Sequence, residues 1–211
     1  AGLSEDQLVL APHAVDNEYF MRDDQNRKQQ ALRIRHQMGI SENAFVFLFV
    51  GKLEPIKQPI ELAKAFRQML QVAPSLEAHL IFVGAGELSK QLERETLRCN
   101  KIHLAGFVNQ SNMPVYFRLG DCLCLPSMTE TWGLVVNEYL ASTSGLLLLS
   151  DRVGCALEFA SPSDKIIAWN DYKTWARTLL TVQQSIPAKR PILLSHDYKS
   201  MLNVLATKLP E

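Results

Sequence analysis

Short runs of uninterrupted apolar residues recur along this chain, and each is followed by a longer amphipathic stretch. Phe45–Val50 and Cys122–Leu125 are wholly apolar, and so are residues 80–83 and 146–149; residues 102–105 are interrupted only by His103. A strand with one wetted face alternates apolar and polar residues, so runs like these must be covered on both faces. Ile60, Ala63, Phe66, Met69 and Leu70 recur at helical spacing between the first two runs. Residues 88–99, 113–119 and 132–141 read as helices after the later ones. A weaker sixth strand is expected at 166–169, with further helices at 29–38, 171–184 and 196–208. Strands alternating with helices build a parallel sheet covered on both sides. The expected fold is therefore a doubly wound, Rossmann-like α/β domain of about six strands.

The 47% hydrophobic content is ample for one such core, and the chain length of 211 residues fits one large domain. Residues 1–20 read as a linker, 21–195 as the domain, and 196–211 as a closing helix. Lys plus Arg and Asp plus Glu both number 22, so the chain offers no basic field for nucleic acid. No apolar run approaches the ~20 residues of a membrane span. The mixed, partly acidic residues 1–6 do not read as a signal peptide. Cys99, Cys122, Cys124 and Cys155 have no zinc-ligand spacing. Cys122 and Cys124 fall on one face of a strand, where a thiol packs as a small hydrophobe. Burial of the thiols points to a reducing, cytoplasmic compartment.

In an open α/β sheet, ligands bind beyond the carboxyl ends of the strands. The loops at those ends carry the polar signals here. Gly51-Lys52-Leu53-Glu54-Pro55-Ile56-Lys57 offers a flexible backbone and two cations, suited to a diphosphate or simply solvated. Gly84-Ala85-Gly86 precedes a helix and either admits a phosphate to its N-terminus or makes an ordinary strand-to-helix turn. In Gly106-Phe107-Val108, Phe107 is either a wall for a nucleobase or a core residue. After Pro126-Ser127 comes the run Glu130-Thr131-Trp132-Gly133-Leu134-Val135-Val136-Asn137-Glu138. Glu130 belongs to the loop, and Glu138 is expected about two turns further along, inside the helix that follows. The pair is either a surface feature favoured by the helix dipole or a set of acceptors for two groups of hydroxyls. No serine elbow, paired histidines or Asp-x-Asp cluster accompanies them, so no metal is expected.

Taken in order, Gly51-Lys52-Leu53…Lys57, Val83-Gly84-Ala85-Gly86, Gly106-Phe107-Val108, Pro126-Ser127-x-x-Glu130-Thr131-Trp132-Gly133…Glu138 and Ser150-Asp151-x-x-Gly154 resemble the C-terminal domain of retaining GT-B glycosyltransferases of the large family-4 type. The resemblance runs from about residue 9 to the end. It implies a donor that is a UDP-, GDP- or ADP-linked sugar, and no separate cofactor. Glu138 would hold the ribose hydroxyls and Glu130 would sit beside the donor sugar. Backbone N–H groups of Thr131, Trp132 and Gly133 would line that sugar. Lys52 and Lys57 would neutralise the departing diphosphate, with Gly51, Gly84 and Gly86 beside it. Phe107 and Val108 would border the base.

The sequence departs from the family pattern in four places. Lys52 stands where Arg is usual, and Gln58 where Gly is usual after Lys57. Residues 141–145 (Ala-Ser-Thr-Ser-Gly) replace an Ala-x-Gly-x-Pro turn, and a Gly-rich return after Asp164 is missing. The resemblance also implies an acceptor-binding N-terminal domain, supplied in cis or in trans, to which the last helix would cross. Without it, transfer by this chain would be weak or absent. The full enzyme would be cytoplasmic, or peripheral to the inner face of the membrane where its acceptor is lipid-linked. The competing reading is an inactive nucleotide-binding or protein-interaction module of the same fold. A sugar-nucleotide epimerase, which shares the architecture, has less support.

Overall fold

The computed structural model describes residues 13–184 together with 197, 199 and 201–203. Its six strands are β1 (Phe45–Val50), β2 (Ala78–Val83), β3 (Ile102–Gly106), β4 (Cys122–Leu125), β5 (Leu146–Ser150) and β6 (Lys165–Ile167). They form one parallel sheet in the order β3-β2-β1-β4-β5-β6. The chain winds outward from β1 to β3, then returns to lay β4 against the other edge of β1. Winding direction reverses there, and the two strand ends diverge to leave a crevice.

The apolar runs divide their side chains between two cores. Val46, Leu48, Leu123 and Leu125 face helices α1 (Asn17–Met21), α2 (Asp24–Gln37), α5 (Met113–Phe117), α6 (Leu134–Ser142) and α7 (Ala156–Phe159). Phe47, Phe49, Cys122 and Cys124 face α3 (Pro59–Val72), α4 (Ser89–Leu97) and α8 (Tyr172–Gln184). That is the double covering the runs require. Cys122, Cys124 and Cys155 are buried thiols, whereas Cys99 is partly exposed.

Several element bounds differ from the sequence reading. Helix α2 begins five residues earlier than expected, at Asp24, because Arg118 reaches across to it: its Nε donates to Asp24 Oδ1 at 3.0 Å and its Nη2 to the Phe20 carbonyl at 3.0 Å. Helix α6 starts at Leu134 rather than residue 132, because Gly133 takes φ 98° and breaks the helical path. Glu138 lies inside α6, about one turn from its start. Strand β6 stops at Ile167, which frees Trp169 from the sheet.

Within the expected linker, residues 17–21 form α1, and Val15 bridges to Asp197. Residues 1–12 of that linker lie outside the described residues. Of the expected closing helix, Lys199 and residues 201–203 are described and helical.

Candidate functional site

Each strand end at the crevice is held by backbone bonds that continue beyond the sheet. Gly51 N donates to Val83 O at 3.0 Å, Gly84 N to Gly106 O at 2.8 Å, and Leu53 N to Ala85 O at 3.1 Å. The three loops thus stack as a second tier. Gly84 sits at φ 141°, and a Cβ there would lie 1.9 Å from the Gly51 carbonyl oxygen. A Cβ on Gly86 would meet the Leu53 carbonyl at 2.4 Å, and the Gly86 N–H is taken by Ser89 Oγ at 3.0 Å. Loop-to-loop packing alone therefore calls for both glycines.

The β4 exit is fixed in the same way. Glu130 N donates to Arg152 O, and Gly154 N returns the bond to Glu130 O, both at 3.0 Å; Cys155 N bonds Trp132 O at 2.9 Å. Gly133 then turns the chain into α6, with Val153 Cγ1 only 3.0 Å from where its Cβ would be. These bonds hold Glu130 at the mouth of the crevice and aim the α6 N-terminus into it. Cys155 lines the back of this turn. Burial pushes its thiol up to about 12, so it stays protonated and inert.

Two adjoining clefts result, and Val50 and Gly51 belong to both. One is lined by Gly51, Lys52, Gly84, Phe107 and Val108. The other is lined by Gly51, Lys57, Ser127, Glu130 and Gly133, with Leu134 and Val135. Lys57 Nζ forms an ion pair with Glu130 Oε2 across the second cleft. Lys52 is exposed, 3.8 Å from Glu54. Phe107 is 74% exposed, which excludes the core role open to it in the sequence. It stands at the rim of the first cleft.

Glu138 lies outside both linings and accepts a 2.7 Å bond from Gln110 Nε2, which follows Phe107 and Val108 in the chain. Burial raises its carboxyl above the usual value, partly offset by the Gln110 bond. Thr131 is exposed. Trp132 packs on Phe159, with ring centroids 6.3 Å apart, and donates from Nε1 to Asn137 Oδ1 at 3.0 Å. Asn137 in turn donates to the His13 carbonyl at 3.3 Å.

The sequence reading left two residues here without a role. Ser127 is fully buried on the wall of the second cleft, and its Oγ has no hydrogen-bond partner among the described residues. Such a hydroxyl is costly unless something completes it. Its place in the Pro-Ser strand exit is the only sequence signal for it. Gln110 has none, because its contact with Glu138 spans 28 residues. Among the described residues, no group of three or more His, Cys, Asp or Glu is placed to hold a metal ion.

An open parallel sheet with a cation, a carboxylate and a helix N-terminus gathered at its switch point is the arrangement in which α/β domains bind ligands. Residues 31–183 match the family Glycosyl transferases group 1, and the chain belongs to that family. It is similar to the D-inositol 3-phosphate glycosyltransferase of Salinispora arenicola, with 29% identity over 186 residues, covering 81% of this chain and 40% of that protein. The enzyme of the same name from Geodermatophilus obscurus is 28% identical over 163 residues, covering 72% of this chain and 34% of that one. The chain thus spans well under half the length of these relatives.

Among solved structures, α,α-trehalose 6-phosphate synthase from Burkholderia multivorans aligns with a TM-score of 0.75 at 19% identity, over 94% of this chain and 49% of that one. Anabaena HepE in complex with UDP-glucose aligns with a TM-score of 0.70 at 19% identity, over 92% and 55%. These likenesses establish the fold. Among the described residues, no helix is long and apolar enough to cross a membrane.

Proposed function

We propose that this chain is the donor-binding half of a retaining glycosyltransferase. It would bind a nucleoside-diphosphate sugar and present the hexosyl group to a glycan or lipid-linked acceptor. The observation that carries this reading is the Lys57–Glu130 pair facing the α6 N-terminus at the switch-point crevice. In this reading the nucleobase leans on Phe107 and Val108, and the ribose hydroxyls donate to Glu138. The diphosphate lies along Gly51 near Lys52 and Lys57. The sugar hydroxyls meet Glu130 and the N–H groups of Thr131, Trp132 and Gly133.

As the bond between the anomeric carbon and the diphosphate oxygen breaks, negative charge grows on the departing group. Lys57, Lys52 and the helix N-terminus stabilise it there. These charges remove the need for a metal or other cofactor. Family membership and the UDP-glucose complex of HepE support the choice of ligand class.

Transfer requires a second surface that orients the acceptor and excludes water. Phe107, Met128 and Leu134 are exposed apolar residues on the loops and helix start that follow β3 and β4. They suit contact with an acceptor-binding domain, in cis or in trans. The same exposed residues favour the second reading, an inactive module that uses this rim for protein association. A cytoplasmic setting, at the inner face of the membrane for a lipid-linked acceptor, fits an enzyme that uses nucleotide sugars.

Calorimetric titration with UDP-, GDP- and ADP-glucose and with GDP-mannose tests the reading. Saturable binding of at least one is expected. Failure of all four at millimolar concentration would overturn it.

A further inference from the structure

A third cavity opens on the same rim, between the first turns of α3 and α8. It is lined by Gln58, Glu61, Leu62, Pro126, Trp169, Asn170, Tyr172 and Trp175, and its volume is about 220 Å³. That is below the ~300–1,000 Å³ of sites for larger organic ligands, so it admits a single ring. Its relation to the crevice is direct. Lys57 and Ser127 line the crevice, and their chain neighbours Gln58 and Pro126 line this cavity.

Gln58 builds the junction. It is one of two described non-glycine residues at positive φ, at 53°. Its amide, turned so that Nε2 faces them, donates to the carbonyls of Pro126 at 3.1 Å and Trp169 at 3.0 Å. The α3 start is thereby tied to the exits of both β4 and β6. The usual glycine at this point would make neither bond. Trp175 is buried, with Nε1 held by Ala168 O at 3.2 Å, while Tyr172 stays 37% exposed at the mouth.

The lining selects a chemistry. It contains no Lys or Arg and includes Glu61, so a phosphate or other anion is disfavoured. A cationic guest gains little, because Lys64 Nζ already lies 3.9 Å from Glu61. What remains is aromatic surface beside a carboxylate and two amides. A pyranose ring matches that set: its C–H face packs on an aromatic ring, and its hydroxyls donate to Glu61 or the amides.

We propose that this cavity is a saccharide subsite, placed to hold a sugar residue of the acceptor beside the crevice. Its assignment to the acceptor rests on the glycosyltransferase reading; its affinity for a pyranose does not.

The chain's three tryptophans make the test direct. Indole N–H signals of the 15N-labelled protein are followed while methyl α-D-glucopyranoside, methyl α-D-mannopyranoside or methyl N-acetyl-β-D-glucosaminide is added. Saturable shifts at Trp169 and Trp175 are expected with a millimolar Kd for at least one glycoside, with Trp132 unmoved. Glu61→Gln should raise that Kd by about tenfold. Trp169→Ala should abolish the Trp175 shift in a protein whose spectrum remains dispersed.

No saturable shift with any glycoside, or shifts unaffected in Glu61→Gln, would overturn the subsite. So would a response to tetramethylammonium in place of the sugars. Normal nucleotide binding with silent indoles would refute this proposal alone. Glycoside binding without any nucleotide-sugar binding would uphold the saccharide site and remove the donor reading.

Discussion

Lys57 and Glu130, 73 residues apart, form an ion pair across the crevice between the β1 and β4 exits. Each side chain is only 23% exposed, so solvent screens the pair weakly. A diphosphate entering the crevice competes with Glu130 for that lysine. Glu130→Ala should therefore bind UDP as well as or better than the parent chain, and UDP-glucose worse, because the sugar loses its acceptor. Lys57→Ala should weaken both by about 1.5–3 kcal/mol, the loss of a charge-assisted bond. Calorimetry with both ligands separates the cases. Equal weakening of UDP and UDP-glucose in Glu130→Ala would show that Glu130 does not discriminate the sugar.

Gly84 and Gly133 predict different costs. At Gly84 the added methyl carbon would meet backbone, 1.9 Å from Gly51 O, and the loop carrying Lys52 would have to move. At Gly133 the nearest obstacle is a methyl group of Val153 at 3.0 Å. Gly84→Ala should destabilise the domain by more than about 3 kcal/mol, and Gly133→Ala by about 1–2 kcal/mol, most of it from the left-handed backbone. Urea unfolding measures both. Similar losses in the two variants would mean that the Gly51 loop yields easily.

These positions show what the sequence could and could not disclose. Uninterrupted runs such as Phe45–Val50 must be buried on both faces, so strand number and sheet type were legible from residue order alone. The placement of Lys57 and Glu130 at the crevice was legible because the switch-point rule says where the strand-end loops converge. Contacts that join distant segments were not. Arg118 lengthens α2 through Asp24, and Gln110 meets Glu138, with no local pattern to announce either. At Phe107 two readings, wall of a base site or core, stayed open for a related reason. An aromatic after a buried strand is ordinarily core, and only its 74% exposure places it on the rim.

Glu138 should trade stability for binding. Burial raises its folded pKa above the usual value of 4.5. The protonated form is thus favoured in the native state, and stability is lost as pH rises through the folded value. Glu138→Gln should melt higher than the parent at pH 7, and the gain should vanish at pH values below the unfolded pKa. The same variant should lose about 1–3 kcal/mol of UDP affinity, because a ribose hydroxyl loses a charged acceptor. Thermal melts across pH, paired with calorimetry, check both signs. A lower melting temperature at neutral pH would mean that the Gln110–Glu138 bond outweighs the burial cost.

His79 and His103 predict an acid weakness in the sheet away from the crevice. They lie on adjacent strands with His79 Nδ1 2.9 Å from His103 Nε2, so one ring carries the shared proton and neither gains from a second. Burial depresses His79 to about 4, helped by the charges of His103, Lys101 and Arg35 and opposed by Glu77; burial also lowers His103. The unfolded chain takes up a proton near 6.5, while the native state resists until about 4. Stability is therefore fully present above pH 6.5 and falls as pH drops toward 4, by up to about 3 kcal/mol for His79 alone. In His79→Gln the slope of unfolding free energy against pH should lose close to one proton over that range, leaving His103 and Glu138 to shape what remains. Urea midpoints measured from pH 7 to 4 give the slopes. Identical slopes in variant and parent would mean that His79 charges freely in the native state and that its burial carries no such cost.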